Sequence, residues 1–299
     1  MNNLLIVGTG ALATLFAARL SQAGNHIVML GTWKAGLDTL RKDGARLVEL
    51  DGSERQFEVQ ATDDPYKYRG IKYVLVLVKA WQTERVAAQL KECLAEDGLV
   101  ITLQNGLGNR ETLAQSLGLG RVALGSTTTG ATLLSPGVVR AGGEGMISIE
   151  RHRVLAPMKE ALKSANFNVT VVNDAQSLIW GKLVISAAIN PLTALLRIPN
   201  GKLLASPSAR EMMGALASET AQVAEAEKIH LPFSDPIAAA EEVAWKTAAN
   251  HSSMLQDVLR GAPTEIDAIC GAVVRLAQKH HIDTPVNWGC WKLVKAMTE

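Results

Sequence analysis

Cysteine, net charge and long apolar runs are all scarce in this chain of 299 residues. Its three cysteines, Cys93, Cys270 and Cys290, are too few for a disulfide framework, and no CxxC pair indicates a zinc site. Lys and Arg number 30 against 29 Asp and Glu, so no excess charge favours a nucleic-acid partner. No uninterrupted apolar run reaches the roughly 18 residues that cross a bilayer, and no membrane association is expected. These absences predict a cytoplasmic protein.

The length of the chain and its change of pattern predict two domains. The first part alternates short apolar runs with amphipathic helical patterns, which is typical of an α/β fold with a parallel sheet. Strand signals stop after Val172, and the remainder has the pattern of consecutive helices. Ser206–Pro207 and Asp235–Pro236 have the order of an N-cap followed by a first-turn proline. We therefore expect an α/β domain over residues 1–172 and an all-α domain over residues 173–299.

A glycine motif follows the first predicted strand. Gly8, Gly10 and Ala13 form GxGxxA between a strand over residues 4–7 and a helix over residues 11–22. The first glycine permits a tight turn, the second lets a pyrophosphate approach the backbone, and the helix N-terminus attracts that anion. A glycine-rich turn that is needed only for close packing can have the same sequence pattern, but the strand–turn–helix context favours dinucleotide binding. The motif predicts a Rossmann-type domain with a cofactor turn formed by Gly8, Thr9, Gly10, Ala11, Leu12 and Ala13.

The end of the second predicted strand, over residues 26–30, indicates which dinucleotide is bound. NAD-selective domains usually have an acid there for the ribose 2′-hydroxyl, and that acid repels a 2′-phosphate. No acid stands between Leu30 and Lys34. Thr32 can donate a hydrogen bond to a phosphate, and Lys34 or Lys79 can offset its charge, although Lys34 taken alone is better explained as a solvated loop residue. The absence of the repulsive group favours NADP(H).

Two polar side chains follow later predicted strands. Lys79 comes directly after the fourth strand, and Asn105 follows the fifth in Gln104-Asn105-Gly106. Ligands of open α/β sheets bind at the carboxyl ends of the strands, so both residues are candidates for the cofactor site. Ordinary loop polarity is the alternative for either residue taken singly.

An otherwise apolar helix in the second half carries one polar stripe. Lys182, Ser186 and Asn190 recur at four-residue spacing, which places them on one face. A single lysine on a helix normally reaches solvent, but a lysine aligned with two hydrogen-bonding groups indicates the wall of a polar cleft. Desolvation there would lower the pKa of Lys182 toward the working pH, as a general acid requires.

Other polar residues of the second half have a less specific pattern. Glu265 is predicted to open a helix, where complementing the helix dipole would explain it. Asn250, Ser252 and Ser253 form a polar cluster one loop earlier. A carboxylate and hydroxyls near a lysine can hold an acid substrate, but their spacing does not show that they meet. No His or Asp pair has metal-ligand spacing, so no metal is expected.

At this point the chain resembles the ketopantoate reductase family across both predicted domains and in the family's order. The matching segments are Gly8-Thr9-Gly10-Ala11-Leu12, Val78-Lys79-Ala80-Trp81-Gln82, Gln104-Asn105-Gly106, Trp180-Gly181-Lys182-Leu183, Ala188-Ile189-Asn190-Pro191-Leu192-Thr193-Ala194, and Ser252-Ser253-Met254-Leu255-Gln256-Asp257 leading to Thr264-Glu265-Ile266-Asp267. The segments INPLTA and SSMLQD are far more specific than the glycine motif.

The resemblance implies NADPH-dependent reduction of 2-dehydropantoate to pantoate, in pantothenate and coenzyme A biosynthesis. It implies that Lys182 donates the proton to the ketone oxygen and that Glu265 supports both the nicotinamide ribose and the lysine. It further implies substrate contacts from Asn105, Lys182, Ser186, Asn190, Asn200 and Ser253, and a cofactor site lined by the glycine turn with Thr32, Lys79, Asn105, Ala131 and Glu265.

Two departures from the family pattern leave alternatives open. An arginine that the family has after the second strand aligns with Thr32, and a helix asparagine aligns with Ser186. The shorter Ser186 leaves room for a larger 2-keto acid, so an NADP-dependent reductase of another such acid is the first alternative. A catalytically silent NADP-sensing protein is the second, although a sensor has no need of a proton donor. The apolar helices are compatible either with a homodimer interface or with burial in their own core.

Overall fold

The computed structural model describes residues 3–299 and divides into two compact units. The first unit takes the chain up to Gln104 and again over Asn109–Ala175. The second unit takes Gln176–Glu299 together with the short segment Asn105–Gly108. A four-residue loop that follows a strand of the first unit therefore belongs, by its contacts, with the helices.

The first unit has the α/β architecture that the alternating pattern predicts. Its strands are β1 (Asn3–Val7), β2 (His26–Leu30), β3 (Ala45–Val48), β4 (Glu54–Phe57), β5 (Gln60–Thr62), β6 (Ile71–Val76), β7 (Leu94–Thr102), β8 (Val122–Thr127), β9 (Ala131–Ser135), β10 (Val138–Ala141), β11 (Met146–Glu150) and β12 (Asn168–Val172). Its helices are α1 (Ala11–Gln22), α2 (Lys34–Asp43), α3 (Thr83–Cys93), α4 (Asn109–Leu117) and α5 (Ala156–Ser164).

Eight of these strands form one sheet in the order β12-β11-β8-β7-β6-β1-β2-β5. All neighbouring pairs are parallel except β8 and β11, which run antiparallel. A second, four-stranded sheet has the order β4-β3-β10-β9. The expected parallel sheet is thus present, with one antiparallel step.

Strand β1 shows why this sheet is buried on both faces. Leu4 and Ile6 pack into one apolar cluster with residues of α1, whereas Leu5 and Val7 pack into a second cluster with residues of α3. Alternate side chains of a strand point to opposite faces, so a continuous apolar run requires a helical layer on each side. The sheet therefore fixes the positions of the loops at its carboxyl edge.

The second unit is helical. Its helices are α6 (Ala175–Leu196), α7 (Lys202–Ala205), α8 (Pro207–Ala226), α9 (Pro236–Lys246), α10 (Ser253–Leu259), α11 (Cys270–Lys279) and α12 (Pro285–Thr298). Ser206 accepts a hydrogen bond from the Ala209 N–H, and Asp235 accepts two from Ile237 and Ala238 at 2.9 Å. Both predicted N-caps are confirmed.

Helix α6 is the element on which the expectation drawn from apolar runs is tested. Within residues 3–299 it is the one helix long and apolar enough, by length and composition, to cross a membrane, with a mean hydropathy of 1.5 over 18 residues. Lys182 interrupts the apolar stretch of α6, but a single charge in a window of that length does not remove the apolar character of the helix. Because 67% of that window is buried inside the protein, α6 has the character of a core helix.

Candidate active site

The turn between β1 and α1 has the geometry of an anion cradle. Gly8 has φ of +135°, and a Cβ placed there would lie 3.2 Å from both the Leu77 carbonyl oxygen and the Ala13 Cβ. Gly10, by contrast, faces open space, with nothing within 4 Å of an added Cβ. No side chain caps α1 and no acid lies in its first turn, which leaves its N–H groups available to an anion. This turn therefore fits the pyrophosphate of a dinucleotide.

The register of the sheet aligns the next candidate positions. Val7 lies opposite Leu30 on one side and Val76 on the other, so β1, β2 and β6 end at one level. Thr32 follows β2 and Lys79 follows β6, which puts both residues in loops at the same edge as the glycine turn. Ala131 begins β9 in the smaller sheet, which packs against α1.

Arg85 is a residue that sequence reasoning missed at the end of β2. Its Nη1 donates a hydrogen bond to Thr32 Oγ1 at 2.8 Å, and its Nη2 donates to Gln82 Oε1 at 3.1 Å. The two partners Arg85 and Thr32 are 53 residues apart and both are exposed. No local pattern indicates this contact, because it depends on how α3 packs beside β2. A cation therefore does lie beside Thr32, although it comes from another element.

Gln104 was also missed, and it connects the ends of two strands. Its Nε2 donates to the Val78 carbonyl at 3.1 Å and to Thr83 Oγ1 at 2.9 Å. Its Oε1 lies 2.9 Å from Thr102 Oγ1. Buried and fully bonded, this amide holds the loop after β6 against the end of β7. The signal available in the sequence was its place beside Asn105 in the Gln-Asn-Gly segment.

In the second unit, Lys182 lies half-buried on α6. Burial lowers the pKa of its ammonium from 10.5 to about 8, and the nearby Glu265 carboxylate opposes that shift by raising it. Desolvation disfavours the charged amine, whereas a neighbouring negative charge stabilises it. An amine with a pKa close to the working pH can give up its proton readily, which is the property that a general acid needs.

Glu265 is buried and contacts a residue far away in sequence. Its Oε2 accepts a hydrogen bond at 3.1 Å from Nδ2 of Asn105, 160 residues earlier. The loop of Asn105 is fixed to the same unit by a bond from the Leu107 N–H to the Ala268 carbonyl at 3.0 Å. The expectation that Glu265 opens a helix is wrong, since α11 begins at Cys270 and Glu265 lies in the preceding turn. Its carboxylate faces Asn105 and Lys182 instead of capping a helix.

The polar stripe on α6 is present and lies beside the start of α10. Ser186 and Asn190 are half-buried, like Lys182. Thr193, one turn after Asn190, has its Oγ1 2.7 Å from Oγ of Ser252, the N-cap of α10. This contact fixes the first residue of α10, Ser253, close to the Asn190 turn of α6.

Asn200 presents an unsatisfied acceptor. Only 7% of the residue is exposed, its Nδ2 donates to Thr247 Oγ1 at 2.9 Å, and its buried Oδ1 has no hydrogen-bond partner. The Asn200 N–H donates to the Asn250 carbonyl at 3.0 Å, so the segment containing Asn250 and Ser252 runs alongside. A buried orphan acceptor is costly unless a ligand or water supplies a donor. Within residues 3–299 no group of three or more His, Cys, Asp or Glu side chains is arranged to hold a metal ion.

Comparison with known proteins gives a consistent family. The model described as "Ketopantoate reductase PanE/ApbA" matches residues 4–153, and "Ketopantoate reductase PanE/ApbA C terminal" matches residues 174–298. A 2-dehydropantoate 2-reductase of Archaeoglobus fulgidus is 37% identical over 98% of this chain and 96% of its own length. One of Halobacterium salinarum is 35% identical over 94% of both chains.

A solved structure agrees with these sequence matches. The crystal structure of a PanE/ApbA family ketopantoate reductase from Ralstonia eutropha JMP134 superimposes with a TM-score of 0.92 at 29% identity, covering 99% of this chain and 98% of the other. The two family models together account for both units, and full-length relatives exceed 30% identity. The expected family and fold class are confirmed: this chain belongs to the ketopantoate reductase PanE/ApbA family.

Proposed function

We propose that this protein reduces 2-dehydropantoate to pantoate with NADPH, as part of pantothenate and coenzyme A biosynthesis. The observation that carries the proposal is the cluster of Lys182, Glu265 and Asn105, in which a buried carboxylate bonds an amide and raises the pKa of a lysine that burial lowers to about 8. Relatives of nearly full length bear the name of this enzyme, which supports the substrate and the reaction.

Lys182 is the proton donor of the proposed reaction. The chemistry that the dinucleotide supplies when bound is a hydride for the ketone carbon. The carbonyl electron pair then moves onto oxygen, where the Lys182 ammonium stabilises the developing charge and gives it a proton. Because the pKa is about 8, the ammonium form predominates at neutral pH. The reaction is therefore expected to slow as the pH rises above that value.

The remaining polar groups hold the acid substrate in this proposal. Ser186 and Asn190 continue the face of Lys182 along α6, and Ser253 is held near Asn190 by the Thr193–Ser252 contact. The orphan Oδ1 of Asn200 is an acceptor suited to a substrate hydroxyl. Ser186 is shorter than the asparagine that aligns with it in the family, so acceptance of larger 2-keto acids is the expected consequence at that position.

The glycine turn, Thr32, Lys79 and Ala131 form the cofactor site in this proposal, and NADPH is preferred over NADH. No carboxylate follows β2 to repel a 2′-phosphate, whereas Thr32, Lys34 and Arg85 offer a hydroxyl and two cations. We place the enzyme in the cytoplasm, where its three buried free cysteines stay reduced.

A nicotinamide absorbance assay tests the proposal. The purified protein is given 2-dehydropantoate with NADPH or NADH, and the loss of absorbance at the reduced nicotinamide band is followed. We expect turnover with both and a higher kcat/KM with NADPH. A larger kcat/KM for a bulkier 2-keto acid would reassign the substrate, equal efficiency with NADH would remove the NADP preference, and no turnover with any 2-keto acid would favour a sensor.

A further inference from the structure

We propose that Arg85, on α3, is the residue that selects NADPH by binding the 2′-phosphate of its adenosine ribose. This inference rests on the NADP preference in the proposed function and deepens it by naming a cation that the motif positions do not contain. Thr32 stands where the family has an arginine after β2, and the guanidinium of Arg85 donates a hydrogen bond to that same threonine.

The hydrogen bond between Arg85 and Thr32 prepares both side chains for a phosphate. Arg85 Nη1 donates to Thr32 Oγ1, so the threonine hydroxyl keeps its own proton for another acceptor. Arg85 Nη2 is oriented by Gln82 Oε1 at 3.1 Å, which limits the freedom of a long side chain. A held guanidinium loses less conformational entropy when it binds a phosphate than a mobile lysine does.

The charges around this pair are compatible with an anion. Among residues 3–299, no carboxylate forms an ion pair with Arg85 within 4.0 Å. Acids do occur at the end of the neighbouring strand β5, but Asp63 is paired with Arg41 at 3.0 Å and Asp64 accepts a hydrogen bond from the Tyr66 N–H. The first turn of α2, directly after Thr32, carries no acid. The guanidinium of Arg85 is therefore a cation hydrogen-bonded directly to Thr32, and it is not neutralised by a neighbouring carboxylate of the described chain.

The position also matches the chemistry of the ligand. In a Rossmann-type domain the 2′ position of the adenosine ribose lies at the end of the second strand, where an acid selects NAD and a cation selects NADP. Arg85 reaches that position from a helix 53 residues later in the chain. Arginine forms bidentate, charge-assisted hydrogen bonds with phosphate oxygens, which a lysine cannot reproduce.

Isothermal titration calorimetry with two nucleotides tests this inference without turnover. Adenosine 2′,5′-bisphosphate carries the 2′-phosphate and adenosine 5′-monophosphate lacks it. We expect the wild-type protein to bind the bisphosphate more tightly, and Arg85→Gln to weaken bisphosphate binding roughly tenfold while monophosphate binding stays within about twofold. Arg85→Lys should give an intermediate loss, because it keeps the charge without the bidentate geometry.

The matched control is Lys91→Gln, which removes one positive charge from an exposed position on the same helix. Six residues separate it from Arg85, or about 9 Å along the helix axis. An equal effect of Arg85→Gln and Lys91→Gln, or an equal loss for both nucleotides, would overturn the inference. If the wild-type protein does not distinguish the two nucleotides, the proposed NADP preference and the inference on Arg85 are both wrong. If the wild type distinguishes them and Arg85→Gln distinguishes them to the same extent, the inference on Arg85 alone is wrong.

Discussion

The two units of this protein present their polar groups in different ways. In the first unit the cofactor turn is one continuous stretch from Gly8 to Ala13, and the parallel register of β1, β2 and β6 aligns the later loops with it. In the second unit the cluster of Lys182, Glu265 and Asn105 comes from a helix, a turn and a loop far apart in sequence. The first arrangement depends on local backbone geometry, and the second on long-range packing.

This difference predicts where a substitution acts. Changes in the first unit should alter cofactor binding, or the stability of a turn, through contacts within a few residues. Changes in the second should alter turnover and its pH dependence, because the groups there tune one another's charge.

The largest expected effect is that of Lys182→Ala. Removing a positioned general acid should lower kcat by roughly 10² to 10⁴ fold while NADPH remains bound. The charged form donates the proton, so wild-type turnover should fall as the pH rises through about 8, and the alanine variant should lack that basic limb. Steady-state kinetics across pH, with NADPH affinity from fluorescence titration, measures both. Turnover near that of the wild type would return Lys182 to the role of a solvated residue.

Asn190→Ala should lower kcat/KM for the keto acid by roughly 10 to 100 fold, the usual effect of losing a hydrogen bond to a charged group. Affinity for NADPH should stay unchanged. Asn168→Ala, exposed at the start of β12, serves as the control. A matching loss of cofactor affinity or a lowered melting temperature would instead assign Asn190 to the integrity of α6 next to Pro191.

Glu265→Gln separates charge from hydrogen bonding in the cluster. The amide oxygen can still accept from Asn105, but the negative charge that raises the pKa of Lys182 is gone. The pKa of the lysine should therefore fall further, and the basic limb should move to lower pH. For a shift of one pKa unit, turnover at pH 8 should drop about fivefold. Glu227→Gln, which removes a surface partner of His280, is the control. An unmoved pH profile would show that Glu265 does not tune the lysine.

Two neighbouring glycines should respond differently to alanine. Gly10→Ala adds a Cβ where only open space lies, so stability should hold while NADPH binds roughly tenfold more weakly because the pyrophosphate is kept away from the backbone. Gly8→Ala forces an L-residue to φ of +135° against the Leu77 carbonyl and should cost about 1–3 kcal/mol of folding free energy. Thermal unfolding and NADPH titration of both variants measure the contrast. Equal responses would contradict it.

The smallest effect is expected for Asp235→Ala. Loss of the two cap bonds to the N–H groups of Ile237 and Ala238 should cost about 1 kcal/mol of unfolding free energy. Because Asp235 lies outside the cluster of Lys182, Glu265 and Asn105, kcat and its pH profile should not change. Urea denaturation and steady-state kinetics check the two statements. A shifted pH profile would show that the N-cap of α9 affects the cluster of Lys182, Glu265 and Asn105.

Much of the local structure followed from residue pattern alone. The helix expected over residues 11–22 and the strand expected over residues 26–30 have those bounds in the structure. Their signals are short-range, because an apolar period, a glycine turn and an N-cap depend on neighbours within one or two turns. The same is true of the caps at Ser206 and Asp235.

Predictions that needed tertiary information were weaker. A helix with an apolar stripe over Ile269, Val273 and Leu276 was expected to begin at Glu265, where a first-turn acid would suit the helix dipole. The chain instead turns there, and α11 starts at Cys270. The Glu265 carboxylate accepts a hydrogen bond from Asn105, a partner 160 residues away that no local pattern indicates. The roles of the individual site residues, and the domain boundary at residue 172, stay predictions.

By itself the sequence determined the family, the α/β and helical halves, the glycine turn and the polar stripe on α6, because each depends on residue types at fixed short spacing. Only the tertiary structure decided that Arg85 donates a hydrogen bond to Thr32 and that Gln104 joins the ends of β6 and β7. It also decided that Asn105 bonds Glu265, whose charge acts on Lys182. These contacts join residues far apart in the chain, and burial sets the pKa of the lysine. Both depend on which surfaces pack together, which the spacing of residues along the chain does not specify.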